Sequence, residues 1–265
     1  MPSVLIIGAS AGIGRAVAAA FARRRHDLVL AGRDFPELQA VAADLHLRFG
    51  VNTSAHCLDI LNFESTETAL ANCLPADDSL AGVVLTAGYL GDQARGEDDL
   101  NEAQEILDAN LIGPVRTLNL LAQYLEATAN SGATQKNAEG PKDKRASARQ
   151  PFLCALASVA GDRGRQSNYL YGAAKAGLAA YLQGLRNRLY RSGIRVVTVK
   201  PGFVDTRMTY GKPKLFLVAK PEAVARSICN AIERGKDVVY VPWFWKYIML
   251  VVRAIPERVF KKMRM

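Results

Sequence analysis

At 265 residues, with 49% apolar and 22% charged side chains, the chain can bury one full core and has the make-up of an ordinary globular domain. No 18 apolar residues run uninterrupted, which argues against a transmembrane helix, and Cys57, Cys73, Cys154 and Cys229 are scattered without metal-ligand spacing. The formal charge of +9 is the unusual feature: an anionic ligand, an acidic membrane surface or nucleic acid would each account for it, and its distribution decides among them.

Met1 leads within three residues into a strand-like run, which predicts no signal peptide, and the thiols read as those of a reduced, cytoplasmic protein. Val4-Leu-Ile-Ile7 is a short run of apolar, largely β-branched residues, as for a strand buried on both faces. Gly8-Ala-Ser-Ala-Gly12-Ile13-Gly14 follows at once, and Arg15 to Arg25 then has helical periodicity. Strand, glycine loop and helix in that order point to a dinucleotide, because glycines let the backbone approach a pyrophosphate at a helix N-terminus. Ser10, inside the loop, is expected to add a phosphate or ribose contact.

A second strand, Leu28–Ala31, ends at Gly32-Arg33-Asp34. An NAD site wants a carboxylate about 20 residues past the loop. Here Gly32 leaves room and Arg33 offers a cation to a 2′-phosphate, so NADP(H) is preferred, with NAD(H) left open because Asp34 could neutralise Arg33 or take the ribose itself. Helical stretches are expected over 35–49 and 63–74, with strands at 55–60 and 82–88 between and after them. Residues 98–128 read as one long helix interrupted by Asn110-Leu-Ile-Gly113-Pro114, a poor local choice for a helix and for that reason a place to look for function. Residues 128–150 lack hydrophobic periodicity and read as a flexible basic surface insertion.

A fifth strand, 151–157, ends at Ser158. Tyr171 and Lys175 sit four apart in Tyr-Gly-Ala-Ala-Lys, one turn apart on one helix face. A cation beside a phenol is expected to lower its pKa from about 10 and make it a proton donor and acceptor for a carbonyl–alcohol pair. Arg163 and Arg165, between them, are expected to face solvent or an anionic substrate group. A sixth strand, 194–199, leads into Pro201-Gly202-Phe-Val204-Asp-Thr206; a helix at 221–234 and a seventh strand at 238–241 follow.

With the GxxxGxG loop, Thr86-Ala87-Gly88, Asn110, Ser158, the Tyr171–Lys175 pair and Pro201-Gly202 in order, the chain resembles the short-chain dehydrogenase/reductase family over about residues 3 to 241. The resemblance implies an α/β fold: a single doubly wound, Rossmann-type parallel sheet with helices on both faces. It implies that the loop (Gly8, Ser10, Gly12, Ile13, Gly14), Arg33, Asp59, Ile60, Ala87, Gly88, Asn110, Tyr171, Lys175, Pro201, Gly202, Val204 and Thr206 meet the cofactor. Asp59 would contact the adenine, and Val204 and Thr206 the carboxamide. Ser158, Tyr171, Lys175 and Asn110 would be catalytic, Asn110 by holding a water in a proton relay. Thr86 stands where the family usually has Asn. Residues 208–219 would form a mobile substrate flap, and a homo-dimer or homo-tetramer is the family habit.

The tail, 242–265, holds six basic residues against Glu257 alone, +5 of the total +9, interleaved with Trp243, Trp245 and aliphatic side chains. That describes a helix lying in a membrane interface, broken near Pro256, or else a cover for the active site or an oligomer interface. It is too apolar for a phosphate-tracking arm, so no nucleic-acid partner is expected. The tail is similar to that of the decaprenylphosphoryl-2-keto-pentose reductases and their bacterial relatives. The expected substrate is therefore a keto group on a lipid-linked sugar or other amphiphile, with a cytoplasmic protein peripheral on the membrane. The alternatives are a 3-oxoacyl or small-ketone reductase and, from another class, a non-catalytic NADP-sensing regulator.

Overall fold

In the computed structural model, which describes residues 1–75, 80–132, 150–210 and 217–263, seven parallel strands form one sheet in the order β3-β2-β1-β4-β5-β6-β7. These are β1 (Ser3–Ile7), β2 (Asp27–Gly32), β3 (Thr53–Cys57), β4 (Leu80–Leu85), β5 (Phe152–Leu156), β6 (Arg195–Pro201) and β7 (Val238–Val241). Helices α1 (Gly12–Ala22), α2 (Phe35–Phe49) and α3 (Thr66–Ala71) connect the first four strands. After β4 come α4 (Gln93–Asp98), α5 (Leu100–Leu107) and α6 (Gly113–Gly132). Then follow α7 (Tyr169–Leu189), α8 (Pro221–Glu233), α9 (Trp245–Ala254) and α10 (Glu257–Phe260). The sheet is the doubly wound Rossmann type expected.

Alternation along β1 shows how the layers are made. Val4 and Ile6 point into an apolar layer with Val17, Phe21 and Ile228, whereas Leu5 and Ile7 point into the opposite layer with Leu118, Leu121, Leu178 and Leu182. Burial on both faces is why these strands read as continuous apolar runs. Strand order reverses between β1 and β4, so the carboxyl ends of these two strands open a crevice, the place where such sheets bind ligands.

Several boundaries differ from expectation, and β4 ends at Leu85 rather than running to 88. β3 stops at Cys57, and the chain turns through Asp59, whose carboxylate accepts from Leu61 N at 3.0 Å. The helix after β3 is only Thr66–Ala71. The long helix of 98–128 is instead α5, one π-helical turn at Asp108–Ile112 and then α6, which runs on to Gly132. Of the insertion expected over 128–150, residues 128–132 belong to α6, and 133–149 lie outside the described residues, as do residues 211–216 of the expected flap. Pro256 divides the tail into α9 and α10 as expected.

Candidate active site

The glycine loop is shaped by contacts that leave no room for side chains. A Cβ on Gly14 would stand 2.0 Å from the Gly8 carbonyl oxygen, and Gly8 itself has φ +88 with Thr86 Oγ1 2.7 Å from its missing Cβ. Thr86 therefore has a job that suits its short side chain: its hydroxyl donates to Ile7 O (3.0 Å) and Gly8 O (3.2 Å), tying the end of β4 to the loop. Gly12 opens α1, whose first turn carries no acid, so the positive helix end faces the crevice unopposed.

A cavity of about 500 Å³ fills that crevice. Gly8, Ser10, Gly12, Ile13, Gly14, Arg33, Asp59, Ile60, Ala87, Gly88 and Thr206 all line it. Met208, the first residue of the expected flap, lines it too, as do Glu105, Ala109 and Arg207, which were not anticipated. Glu105 and Ala109 are one helical turn apart just before Asn110, so the i, i+4 spacing was the available signal. Asp34 lines the cavity beside Arg33, and its carboxylate also caps α2, accepting from Glu37 N at 3.2 Å. Thr206 reaches the glycine loop, its methyl 3.2 Å from where a Gly12 Cβ would be.

Of the residues expected at the cofactor, Pro201, Gly202, Val204, Asn110, Tyr171 and Lys175 do not line this cavity, and neither does Ser158. Val204 is buried in the apolar layer beneath it. Gly202 lies under the Trp245 indole, whose Nε1 would be 2.0 Å from a Cβ there, so the absent side chain is required by the tail.

Ser158 follows β5 and starts a single 3₁₀ turn, Val159–Asp162, its hydroxyl accepting from Ala160 N at 3.1 Å. The turn packs backbone to backbone on α7. A Cβ on Gly161 would be 2.7 Å from Ala176 N and Lys175 C, and one on Gly172 would be 2.9 Å from Ala160 O. These two glycines let Ser158 come within hydrogen-bonding reach of the Tyr171 phenol. Lys175, 3% exposed, lies one turn along α7 with Nζ 5.7 Å from the Tyr171 ring centre and donating to Leu156 O at 3.0 Å.

The charge balance at this pair differs from the expectation that Lys175 lowers the Tyr171 pKa. Burial pushes the phenol up to about 12, against a smaller downward pull from the Ser158 hydrogen bond, and burial brings the ammonium down to about 7. Burial disfavours either charge alone, which favours the protonated phenol and the neutral amine.

Asn110 is fully buried in the π-helical turn. Its Nδ2 donates to Ile106 O (2.8 Å) and Tyr89 O (2.5 Å), while its Oδ1 accepts from Tyr89 N (3.2 Å). Side-chain hydrogen bonding is thus spent on bracing the segment after β4. A Gly88 Cβ would be 3.0 Å from Asn110 Oδ1 and 3.4 Å from Lys175 Nζ, which puts Gly88, Asn110 and Lys175 together at the inner end of the crevice.

Arg163 and Arg165 do not face solvent as expected. Arg163 Nη1 donates to Arg253 O and Ile255 O, each at 3.1 Å, Nη2 pairs with Glu257 at 2.7 Å, and the guanidinium lies 4.1 Å from the Phe260 ring centre. Arg165 is largely buried, with Nη2 donating to Val159 O. The tail meets this same turn, as Val159 packs with Trp245, Met249, Val252 and Phe260.

The short chain dehydrogenase family model matches residues 2–134 and 152–214, well over half of the chain. An uncharacterized oxidoreductase of Mycobacterium tuberculosis is 32% identical over 98% of this chain and 96% of its own. The chain belongs to the short-chain dehydrogenase family. Another oxidoreductase relative, from Streptomyces coelicolor, is 33% identical over 98% of this chain and 95% of its own. The fold is also that of a short-chain dehydrogenase from Sphingobium yanoikuyae solved with NADPH (TM-score 0.75, 23% identity, 100% of this chain and 97% of that one). As a short-chain dehydrogenase the protein is an oxidoreductase of alcohol and carbonyl groups.

Proposed function

We propose that this oxidoreductase uses NADPH to reduce a ketone to a secondary alcohol, with Ser158, Tyr171 and Lys175 as its reacting shell. The observation that carries this is the half-buried Tyr171 phenol, within hydrogen-bonding reach of Ser158 and one helical turn from the buried Lys175. The crevice fits a dinucleotide: side chains would fill its glycine cradle, a helix N-terminus with no acid in its first turn faces it, and Arg33 lines it beside Asp34, which caps α2. Bound there, NADPH supplies the hydride to the carbonyl carbon.

Arg33 would pair with a 2′-phosphate, which favours NADP(H) over NAD(H). The NADPH complex of the Sphingobium relative agrees with that reading. Ser158 would hydrogen-bond the carbonyl oxygen as charge develops on it, and Tyr171 would give that oxygen its proton. Lys175 would hold the cofactor ribose and supply the compensating charge as the phenol loses its proton. Asn110, whose amide nitrogen is spent on Ile106 O and Tyr89 O, would hold the relay water.

The finer reading is a keto group on an amphiphile such as a lipid-linked sugar, taken up by a cytoplasmic homo-dimer or homo-tetramer whose 242–265 tail lies on the membrane. NADPH oxidation measured over a panel of ketones tests the reaction. The expected result is turnover by the wild type and its loss, by about a hundredfold or more, in Tyr171→Phe; a Tyr171→Phe variant as fast as wild type would sink the mechanism.

A further inference from the structure

Helix α9 has two apolar faces and only one of them is covered. Trp245, Met249 and Val252 point inward, each under 9% exposed, onto Val159 and the strand edge. On the opposite side Trp243 is 73% exposed, Tyr247 58%, and Leu250 and Val251 65% each. A helix lying on a globular surface ordinarily presents polar groups outward; here the outermost stripe is apolar and the cations sit on its flank. Lys246 and Arg253 follow the boundary between the faces, and exposed Arg258, Lys261 and Lys262 continue from α10. The tail's one acid, Glu257, is taken by Arg163.

We propose that this outward face of α9, with the basic rim that α10 extends, docks on an anionic phospholipid surface. Charge decides for lipid over a second copy of this chain. A two-fold contact through this stripe would bring five cations of one copy against the same five of another, with no acid of the tail left to answer them. An anionic bilayer answers all of them and takes the aromatic and aliphatic stripe into its headgroup region. The docked helix would separate lipid from the turn that carries Ser158 by only its own thickness, about 10 Å. That is a short reach for a ketone whose lipid stays in the bilayer. The purpose of docking rests on the amphiphile reading of the substrate; its occurrence does not.

The experiment uses the full chain. Co-sedimentation is measured with phosphatidylglycerol–phosphatidylcholine vesicles and with phosphatidylcholine alone, for the wild type, Leu250→Glu/Val251→Glu and Lys261→Glu/Lys262→Glu. NADPH-dependent reduction of a short water-soluble ketone is followed in parallel. The expected result is binding to the anionic vesicles that falls roughly tenfold or more in either variant and weakens with salt, with soluble-ketone turnover unchanged because none of the four residues touches the site. Equal sedimentation with both vesicle types, or equal sedimentation of wild type and variants, would overturn the proposal. So would a dimer in solution that Leu250→Glu/Val251→Glu dissociates. Absence of ketone turnover beside intact vesicle binding would count against the reaction and leave the docking supported.

Discussion

Lys175 Nζ donates to the carbonyl oxygen of Leu156 at 3.0 Å, tying the helix that carries Tyr171 to the end of the strand that delivers Ser158. This bond fixes the geometry of the site at an electrostatic cost, because the ammonium is buried and its pKa falls to about 7.

That cost has a sign. A lysine whose folded pKa lies below its ordinary 10.5 destabilises the fold fully below about pH 7, and the penalty is relieved as pH rises toward 10.5. Lys175→Met keeps the length and removes the charge. The stability of wild type relative to Lys175→Met should therefore rise between about pH 6.5 and about pH 9, by on the order of 2 kcal/mol, read by urea denaturation at both values. A flat difference would mean that the ammonium is solvated.

Gly161 tests the backbone contact that sets the Ser158–Tyr171 approach. Gly161→Ala would push the 3₁₀ turn off α7, costing about 1–3 kcal/mol and lowering kcat with less effect on KM. Gly164→Ala, three residues on with nothing within 4 Å of its missing Cβ, should be silent in both assays.

Arg33 at the cavity rim should set cofactor choice. Arg33→Ser is expected to raise KM for NADPH roughly tenfold to a hundredfold, the worth of a charged hydrogen bond, and to leave KM for NADH within about twofold. Equal losses for both cofactors would place Arg33 in the fold rather than at a 2′-phosphate.

Arg163 joins the turn that follows Ser158 to both tail helices. Arg163→Ala should lower stability by about 2–4 kcal/mol, since two carbonyls, one carboxylate and one aromatic face lose their partner together. Lysine should restore little, lacking the planar fork that serves several acceptors at once. Equilibrium denaturation, with tryptophan fluorescence reporting on Trp245, reads the effect.

Much of this was legible in the sequence because the elements that make the site are local. β1, the glycine loop and α1 follow one another within the first 22 residues, and Tyr171 and Lys175 share one helix, so spacing alone placed them. Asn110 was visible as a residue ill-suited to its helix, but not its engagement with Tyr89, which lies 21 residues away. Arg163 was misread for the same reason: its partners, Arg253, Ile255 and Glu257, are about 90 positions along the chain and meet it only through folding. The direction of the Tyr171 shift was missed because spacing shows that a cation is near and does not show how dry the surroundings are.

The indole of Trp245 occupies the place of a side chain at Gly202, on the segment leaving β6. Cutting the chain at Val241 would therefore open a hole above that segment and uncover Val159, Phe203 and Tyr240 along with it. A shortened enzyme that lost activity could not report on lipid. The tail is a keystone as well as a surface, and its two duties can be parted only one side chain at a time.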